Sequence, residues 1–285
     1  MSFKRIKEYI STGDGTEGTL LIPKLIMPVM IQETEKRLLP REMAAFVRTG
    51  FEGSSFSVNL EEHDTLDLRK VGEGGEIPLD GVGHEYVTFT PVKYGVAIRI
   101  TREMREDSQF DLFADNLRIV GKRFAENENK LVLTALDQAN TTVAGGAQIT
   151  VANITTAMQE VEDNDFEPTD MPVGNEVLND LRNIDLFTDF GKSGDREMLE
   201  RGFRGVIYGM MVSRFTSSTK AVPSADSKKH AYVFDRSKAY GIGIKRNITV
   251  ENFTLPTYDM DGAAVTQRID VKPLRKKAIA KITTT

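Results

Sequence analysis

Between Phe51 and Met104 hydrophobic and polar positions alternate with period two in two runs. Residues 54–60 read SSFSVNL and residues 84–100 read HEYVTFTPVKYGVAIRI, separated by the Gly-rich tip VGEGGEIPLDGVG. Alternation of this kind gives each strand one apolar face. Phe56, Val58 and Leu60 share a face of the first arm. On the second arm Tyr86 alternates with Thr88, and Val96, Ile98 and Ile100 line one face. A two-stranded ribbon is marginal alone in water. Its apolar face must lie on something else, and a neighbouring subunit is the natural candidate. The pattern points to assembly before it points to chemistry.

Elsewhere the spacing is helical. Residues 1–10 form an amphipathic arm, and STGDGTEG after it reads as a hinge. Helical patterning resumes after Pro28, and Pro40 suits the first turn of a second short helix. Asp107 or Ser108 can cap a long helix with Asp111 in its first turn. Phe110, Phe113, Leu117, Val120, Phe124, Leu131, Ala135 and Leu136 recur along it at steps of three and four, with slippage around Asn127. Extended to Ala139, it is a rod of roughly 45 Å. Gly121 within it predicts a close packing contact.

Residues 140–148 (NTTVAGGAQ) are the best domain boundary, and an α/β pattern follows. Helices are predicted over 151–162 and 176–183, and strands over 210–215, 231–234 and 248–253. A closing strand over 265–281 is interrupted at Pro273. No internal repeat or low-complexity tract occurs.

Composition narrows the function. A net charge of −5 argues against a sequence-reading nucleic-acid binder, which would carry a strongly basic domain. The absence of cysteine removes disulfides, thiolate metal sites and Cys nucleophiles, and fits a reducing compartment. The N-terminus lacks the apolar core of a signal peptide, and the run from Leu20 to Ile31 is too short and too broken by Pro23, Lys24 and Pro28 to span a bilayer. The sequons at Asn140, Asn153, Asn247 and Asn252 are read as chance.

The motif-like segments each fail a chemical requirement. Residues 13–18 (GDGTEG) match GxGxxG, but a helical arm precedes them, Pro23 follows, and Asp14 and Glu17 would repel a pyrophosphate. Gly191-Lys192-Ser193 resembles the end of a phosphate-binding loop, yet Leu186 holds the first glycine position. Asp259-Met260-Asp261-Gly262 starts like a calcium loop without its later ligands and is read as a surface turn with Gly262 at positive φ. His63, His84 and His230 make no ligand spacing, no GxSxG elbow exists, and no carboxylate pair stands out. No catalytic, cofactor-binding or metal residue is assigned, and no cofactor is expected. The basic run 272–281 reads either as an edge or half-buried strand with its lysines outside, or as a surface facing a polyanion.

Taken in order, the parts resemble the major capsid protein of tailed bacteriophages, with the fold first described for phage Hong Kong 97. GTLLIPKLIMPVMI looks like the family's link from N-arm to core, residues 51–104 like its extended E-loop, and ITREMREDSQFDLFADNLRIVGKRFAENENKLVLTAL like its spine helix. ITVANITTAMQEVEDNDFEPTDMPVGNEVLNDLRN, with its step from Asn175 to Leu181, resembles the start of the axial domain. FRGVIYGMMVSRF, with Gly205, Gly209 and Val212, matches the turn into a central strand, and YVFDRSKAYGIGIKRNITVENF the late strand-helix-strand. The similarity covers nearly the whole chain.

The resemblance implies an α+β fold: N-terminal arm 1–21, start of the peripheral domain 22–50, E-loop 51–104, spine 105–145, α/β axial domain 146–255, and closing peripheral strands 256–285. It implies a structural, non-enzymatic subunit that assembles as pentamers and hexamers into an icosahedral shell around double-stranded viral DNA, in the virion and built in the host cytoplasm. The implied partners are other copies of the chain, a separate scaffolding protein, portal, protease and cement protein, and non-specific DNA contact, with no membrane. No long extension precedes the arm, so scaffolding would come from a separate protein or a removed segment. The polar segment 189–205, with alternating charges, is expected near the five- and sixfold axes. Some relatives weld subunits by a Lys–Asn isopeptide bond. The ribbon region offers Lys70 and Lys93, but residues 259–264 have no Asn, so no crosslinking residue is carried over. Two alternatives stand beside this reading: an encapsulin-type compartment holding cargo enzyme, and a soluble α/β enzyme.

Overall fold

The computed structural model describes residues 39–61, 69–77, 83–107, 112–184, 206–214 and 230–284. In chain order the first part holds α1 (Leu39–Glu42), β1 (Phe46–Thr49), the ribbon strands β2 (Phe56–Glu61) and β3 (His84–Phe89), β4 (Val92–Thr101), α2 (Arg102–Asp107) and the spine helix α3 (Leu112–Leu136). Then come β5 (Thr141–Ala144), α4 (Val151–Glu162), β6 (Asp170–Val173), α5 (Asn175–Arg182), β7 (Val206–Ile207) and β8 (Met210–Arg214). The chain closes with β9 (His230–Phe234), β10 (Tyr240–Leu255), β11 (Met260–Pro273) and β12 (Ile279–Thr283).

The strands form three sheets. One has four strands in the order β1-β10-β11-β4, one has six in the order β5-β12-β9-β6-β8-β7, and β2 pairs with β3. Helix α4 covers one face of the six-stranded sheet. It begins with a reciprocal cap in which Asn153 Oδ1 accepts from Thr150 N at 3.0 Å and Thr150 Oγ1 accepts from Asn153 N at 3.4 Å. Its buried Ile154, Ala157 and Val161 join Ala231, Val233, Ala280 and Ile282 in one core.

The spine lies on the four-stranded sheet. Leu117, Val120 and Phe124 pack with Ile248, Ala263 and Val265, while Val132, Leu133 and Leu136 pack with Tyr240, Ile242, Ile244 and Ile269. Tyr232, Phe234 and Ile279 reach the second cluster from the other sheet, so the end of the spine ties the two sheets together. Lys281 Nζ pairs with Asp137 beyond that end, and the Tyr232 hydroxyl donates to Asp137 Oδ1 at 3.3 Å. Burial, helped by the Asp137 carboxylate, pushes the Tyr232 phenol far above its ordinary value, so it stays a neutral donor.

The slippage in the helical pattern has a physical counterpart. Glu128, 1% exposed, faces inward and is held by Arg41 through two bonds of 2.7 and 2.9 Å. On β11, Gln267 is buried between Val265 of one cluster and Ile269 of the other, and its side-chain amide has no hydrogen-bond partner among the described residues. The two apolar clusters under the spine are therefore divided by Glu128 and Gln267 and meet at the half-buried Tyr94.

Several elements differ from the sequence reading. The predicted spine start falls in part on residues 108–111, outside the described residues, and Asp107 ends a separate short helix. At its other end the spine stops at Leu136 rather than Ala139, giving about 37 Å. Gly121 is buried within the helix. Strand β10 is far longer than 248–253, because Tyr240–Ile244 continue the pairing with β11. The closing strand does break after Pro273, which cannot donate to a ladder, but the part beyond it crosses to the six-stranded sheet. Residues 272–278 are thus the end of a strand and a turn, and β12 is an interior strand between β5 and β9, not an edge. Gly262 lies inside β11, and the positive φ of 48° belongs to Asp259.

Candidate assembly site: the ribbon and its root

The second arm of the ribbon divides at Thr90-Pro91. Residues before it pair with β2, and residues after it join the four-stranded sheet beside β11. Proline lacks the donor a continuous strand would need, and the neighbouring groups hold the break. Thr90 N donates to Asp270 Oδ2 at 2.7 Å, and Arg268 Nη2 donates to the Pro91 carbonyl at 3.2 Å. Lys93 consequently stands in the sheet, opposite Arg268, and not in the ribbon.

Four phenylalanines root the ribbon on its own subunit. Phe56 and Phe89 are directly opposite across β2 and β3, and their rings stack at 4.8 Å. Phe51 meets the Phe56 ring edge-on at 4.5 Å, and Phe46 meets Phe89 edge-on at 5.8 Å. The floor is strand β10, where glycine occupies two alternate positions. A Cβ at Gly241 would fall 2.6 Å from the Phe46 ring, and one at Gly243 would fall 2.7 Å from the Phe56 ring. These glycines face away from Tyr240, Ile242 and Ile244, which pack against the spine cluster. The Arg48 guanidinium lies 4.8 Å from the Phe56 centroid, and Lys245 Nζ donates to the Gly53 carbonyl. Burying each of the two central rings is worth about 1.5–3 kcal/mol.

Beyond the root the ribbon leaves its subunit. Val58 faces Val87 and Leu60 faces Glu85, with Val58, Leu60 and Val87 half-buried. The opposite face is polar: Ser57 and Thr88 hydroxyls bond at 2.9 Å, and Asn59 Nδ2 meets His84 Nδ1 at 3.2 Å. Tyr86 is 64% exposed, and at the tip Ile77 is 73% exposed. The expectation that the apolar face has no partner within the chain is therefore corrected at Phe56 and Phe89, which are buried against β10. Among the described residues it holds for the ribbon from Val58 outward.

Among the described residues no catalytic constellation gathers elsewhere. His84 sits on the ribbon, His230 is buried beside Thr283 Oγ1 at 3.1 Å, and His63 lies outside the described residues. So do residues 13–18, 191–193 and 189–205. Asp259 pairs with Arg102 at 3.1 Å, and Asp261 accepts from Thr254 at 3.1 Å, so the calcium-like segment is structural. Among the described residues no three His, Asp or Glu side chains gather as metal ligands. The buried Asp170 is held by Arg236 at 2.7 Å, an ion pair 66 positions apart that no local spacing could reveal. Sequence reasoning also missed the root: the Tyr240-Gly-Ile-Gly-Ile244 alternation was its one visible signal.

A family model described as phage capsid protein matches residues 85–282. No curated protein matches the sequence. Solved structures match over most of the chain at low identity. A chain from Mycobacterium phage Che8 has TM-score 0.67 and 16% identity, covering 81% of this chain and 85% of that one. The mature capsid of bacteriophage PhiM1 gives 0.66 and 12%, covering 86% of each. The capsid of a native GTA particle gives 0.66 and 14%, covering 86% and 89%. At such identities the structures show the fold, of Hong Kong 97 type, and the family match carries the function. The encapsulin reading is not favoured by either, and the enzyme reading falls. With a rooted ribbon, a spine on a four-stranded sheet and a family model spanning more than half its length, the chain belongs to the phage capsid protein family and is a structural major capsid protein.

Proposed function

We propose that this chain assembles as pentamers and hexamers into an icosahedral shell enclosing double-stranded DNA, with each ribbon lying on a neighbouring subunit. The observation that carries the reading is the contrast along the ribbon. Its root is buried by Phe56 and Phe89, while Tyr86 and Ile77 further out stand in water. Apolar side chains exposed on a two-stranded ribbon, which is marginal alone in water, favour a protein contact over a solvated loop. A scaffolding protein, portal, protease and cement protein are proposed partners, and assembly is proposed to take place in the host cytoplasm.

The domain division proposed on the same reading follows the sheets. The axial part holds residues 141–184, 206–214, 230–239 and 279–284, and the peripheral part holds 39–49, 92–107, 112–136 and 240–278, supported by the strand orders. This moves β10 to the peripheral part and β12 to the axial part, relative to a division at residues 146 and 256. Negative-stain imaging of the purified protein tests the function. Closed particles that contain DNA when produced with the packaging machinery support it; particles filled with an enzyme, or no particles under any assembly condition, overturn it.

A further inference from the structure

We infer that a row of three cations on the sheet face turned away from the spine, Arg246, Arg268 and Lys93, receives the acidic outer ribbon of a second copy of the chain. The inference rests on the shell reading and deepens it, naming the surface on which the neighbour's ribbon lands. Arg246 of β10 lies directly opposite Arg268 of β11, and Arg268 lies directly opposite Lys93 of β4. Their neighbours fix the face. Ile269 and Tyr94 pack under the spine, and alternate residues of a strand point the other way. Like charges placed directly opposite one another weaken a sheet. Three in one row call for an anion.

Among the described residues no ion pair neutralises the row. Arg246 Nε is buried without a hydrogen-bond partner, Arg268 donates to the uncharged Pro91 carbonyl at 3.2 Å, and Lys93 is exposed. Acids and further cations border it. Asp270, next on that face of β11, is half-buried, and its Oδ2 accepts from Thr90 N at 2.7 Å. Glu52 is exposed in the loop before β2, and Glu251 stands opposite Ala264 further along the face. On the cationic side Arg48 lies over the Phe56 ring, Lys245 reaches the Gly53 carbonyl, and Arg99 stands opposite Gly262. The complement is the ribbon. Residues 61–85 hold eight acids and two bases, a net −6 in a chain of net −5, and Glu73, Glu76 and Glu85 among them are exposed. The floor suits a flat ribbon too. Beyond the row, Gly95 and Thr266, then Ala97 and Ala264, pair on the same face, and such small side chains leave room for a second backbone. The subunit's own ribbon departs from this sheet at Thr90-Pro91, so the outer acids that reach the row come from a neighbour. Opposite charges on the two surfaces fix the register of such a contact.

The test measures the yield of closed particles from the full chain by sedimentation, with folding checked by circular dichroism. Wild type is compared with the row reversal K93E/R268E, the ribbon reversal E73K/E76K/E85K, the two sets combined, and the control K130E/K238E at exposed cations elsewhere. Each reversal alone should lower the yield at least about fivefold at low salt, because one weak pair repeats around the shell. The combined form should return to within about twofold of wild type, since the two sets act on one contact. The control should stay within about twofold of wild type. If K93E/R268E fails to fold, the neutral K93Q/R268Q decides: it should lower the yield and flatten its dependence on salt. Reversals that assemble at wild-type yield, a combined form no better than the worse single set, or an equal loss in the control overturns the inference. So does a row reversal that assembles normally but no longer binds a labelled DNA duplex, because the row then faces the contents. Wild-type particles with a failed rescue would sink this contact and leave the shell reading standing; absence of wild-type particles under any assembly condition would sink both.

Discussion

Strands β3 and β9 are written in nearly the same residues, HEYVTF and HAYVF, and have opposite fates. Every residue of β9 is buried, and Tyr232 is 1% exposed; in β3 only Phe89 is buried, and Tyr86 is 64% exposed. Strand β9 has a layer on each side, α4 on one and the end of the spine on the other, so both faces of its alternation are used. Strand β3 has one neighbouring strand, and a sheet floor only at its foot. Apolar strand residues therefore do not say whether they serve folding or assembly. The layers around them do.

The largest effects should come from the side with two layers. Tyr232→Ala and Phe124→Ala each remove a large ring from a closed core, and such truncations cost about 3–5 kcal/mol. Chemical denaturation of the purified subunit checks this. A loss below about 1 kcal/mol for either would place that ring at a surface.

Next comes the junction between the two behaviours. Gly243→Ala puts a methyl where the Phe56 ring sits, at a backbone position that tolerates alanine in its dihedrals but not in its space. Overpacking of this sort costs about 1–3 kcal/mol. The loss should appear with a root that opens early in hydrogen exchange, at β2 and β3 before β9. Equal protection of the ribbon in wild type and variant would show that the four-ring root does not anchor it.

The smallest stability effect should lie on the ribbon itself. Tyr86→Ala removes an exposed side chain, and surface substitutions stay within about 0.5 kcal/mol. Its effect belongs in the yield of closed particles, measured by sedimentation. A Tyr86→Ala protein that loses as much stability as Tyr232→Ala would erase the distinction between the two strands.

The legible parts of this fold are those whose cause is local. Helix α4 could be placed to the residue because its apolar positions are regular and Thr150 and Asn153 cap it within one turn. The break after Pro273 was legible because a missing donor is a property of one residue. Which sheet the chain enters after the break was not, since the pairing of Ile279 with Phe234 spans 45 positions. The same holds for the spine. Its apolar stripe could be read, but its inward Glu128 looked like slippage until Arg41, 87 residues away, supplied the charge partner. The ribbon showed its alternation plainly, whereas its root needed Phe46, Phe56 and Phe89 to meet Gly241 and Gly243 on a strand far later in the chain.

The central claim is that the ribbon beyond its root serves assembly and contributes little to folding. Replacing residues 61–85 by a short Gly-Ser bridge keeps Phe56 and Phe89 in place and removes the outer arms and tip. Thermal melting and negative-stain imaging of the same preparation measure both sides of the claim. The account predicts a soluble subunit that melts cooperatively near the wild-type temperature and forms no closed shells. An unfolded deletion protein, or one that assembles shells as wild type does, would contradict it.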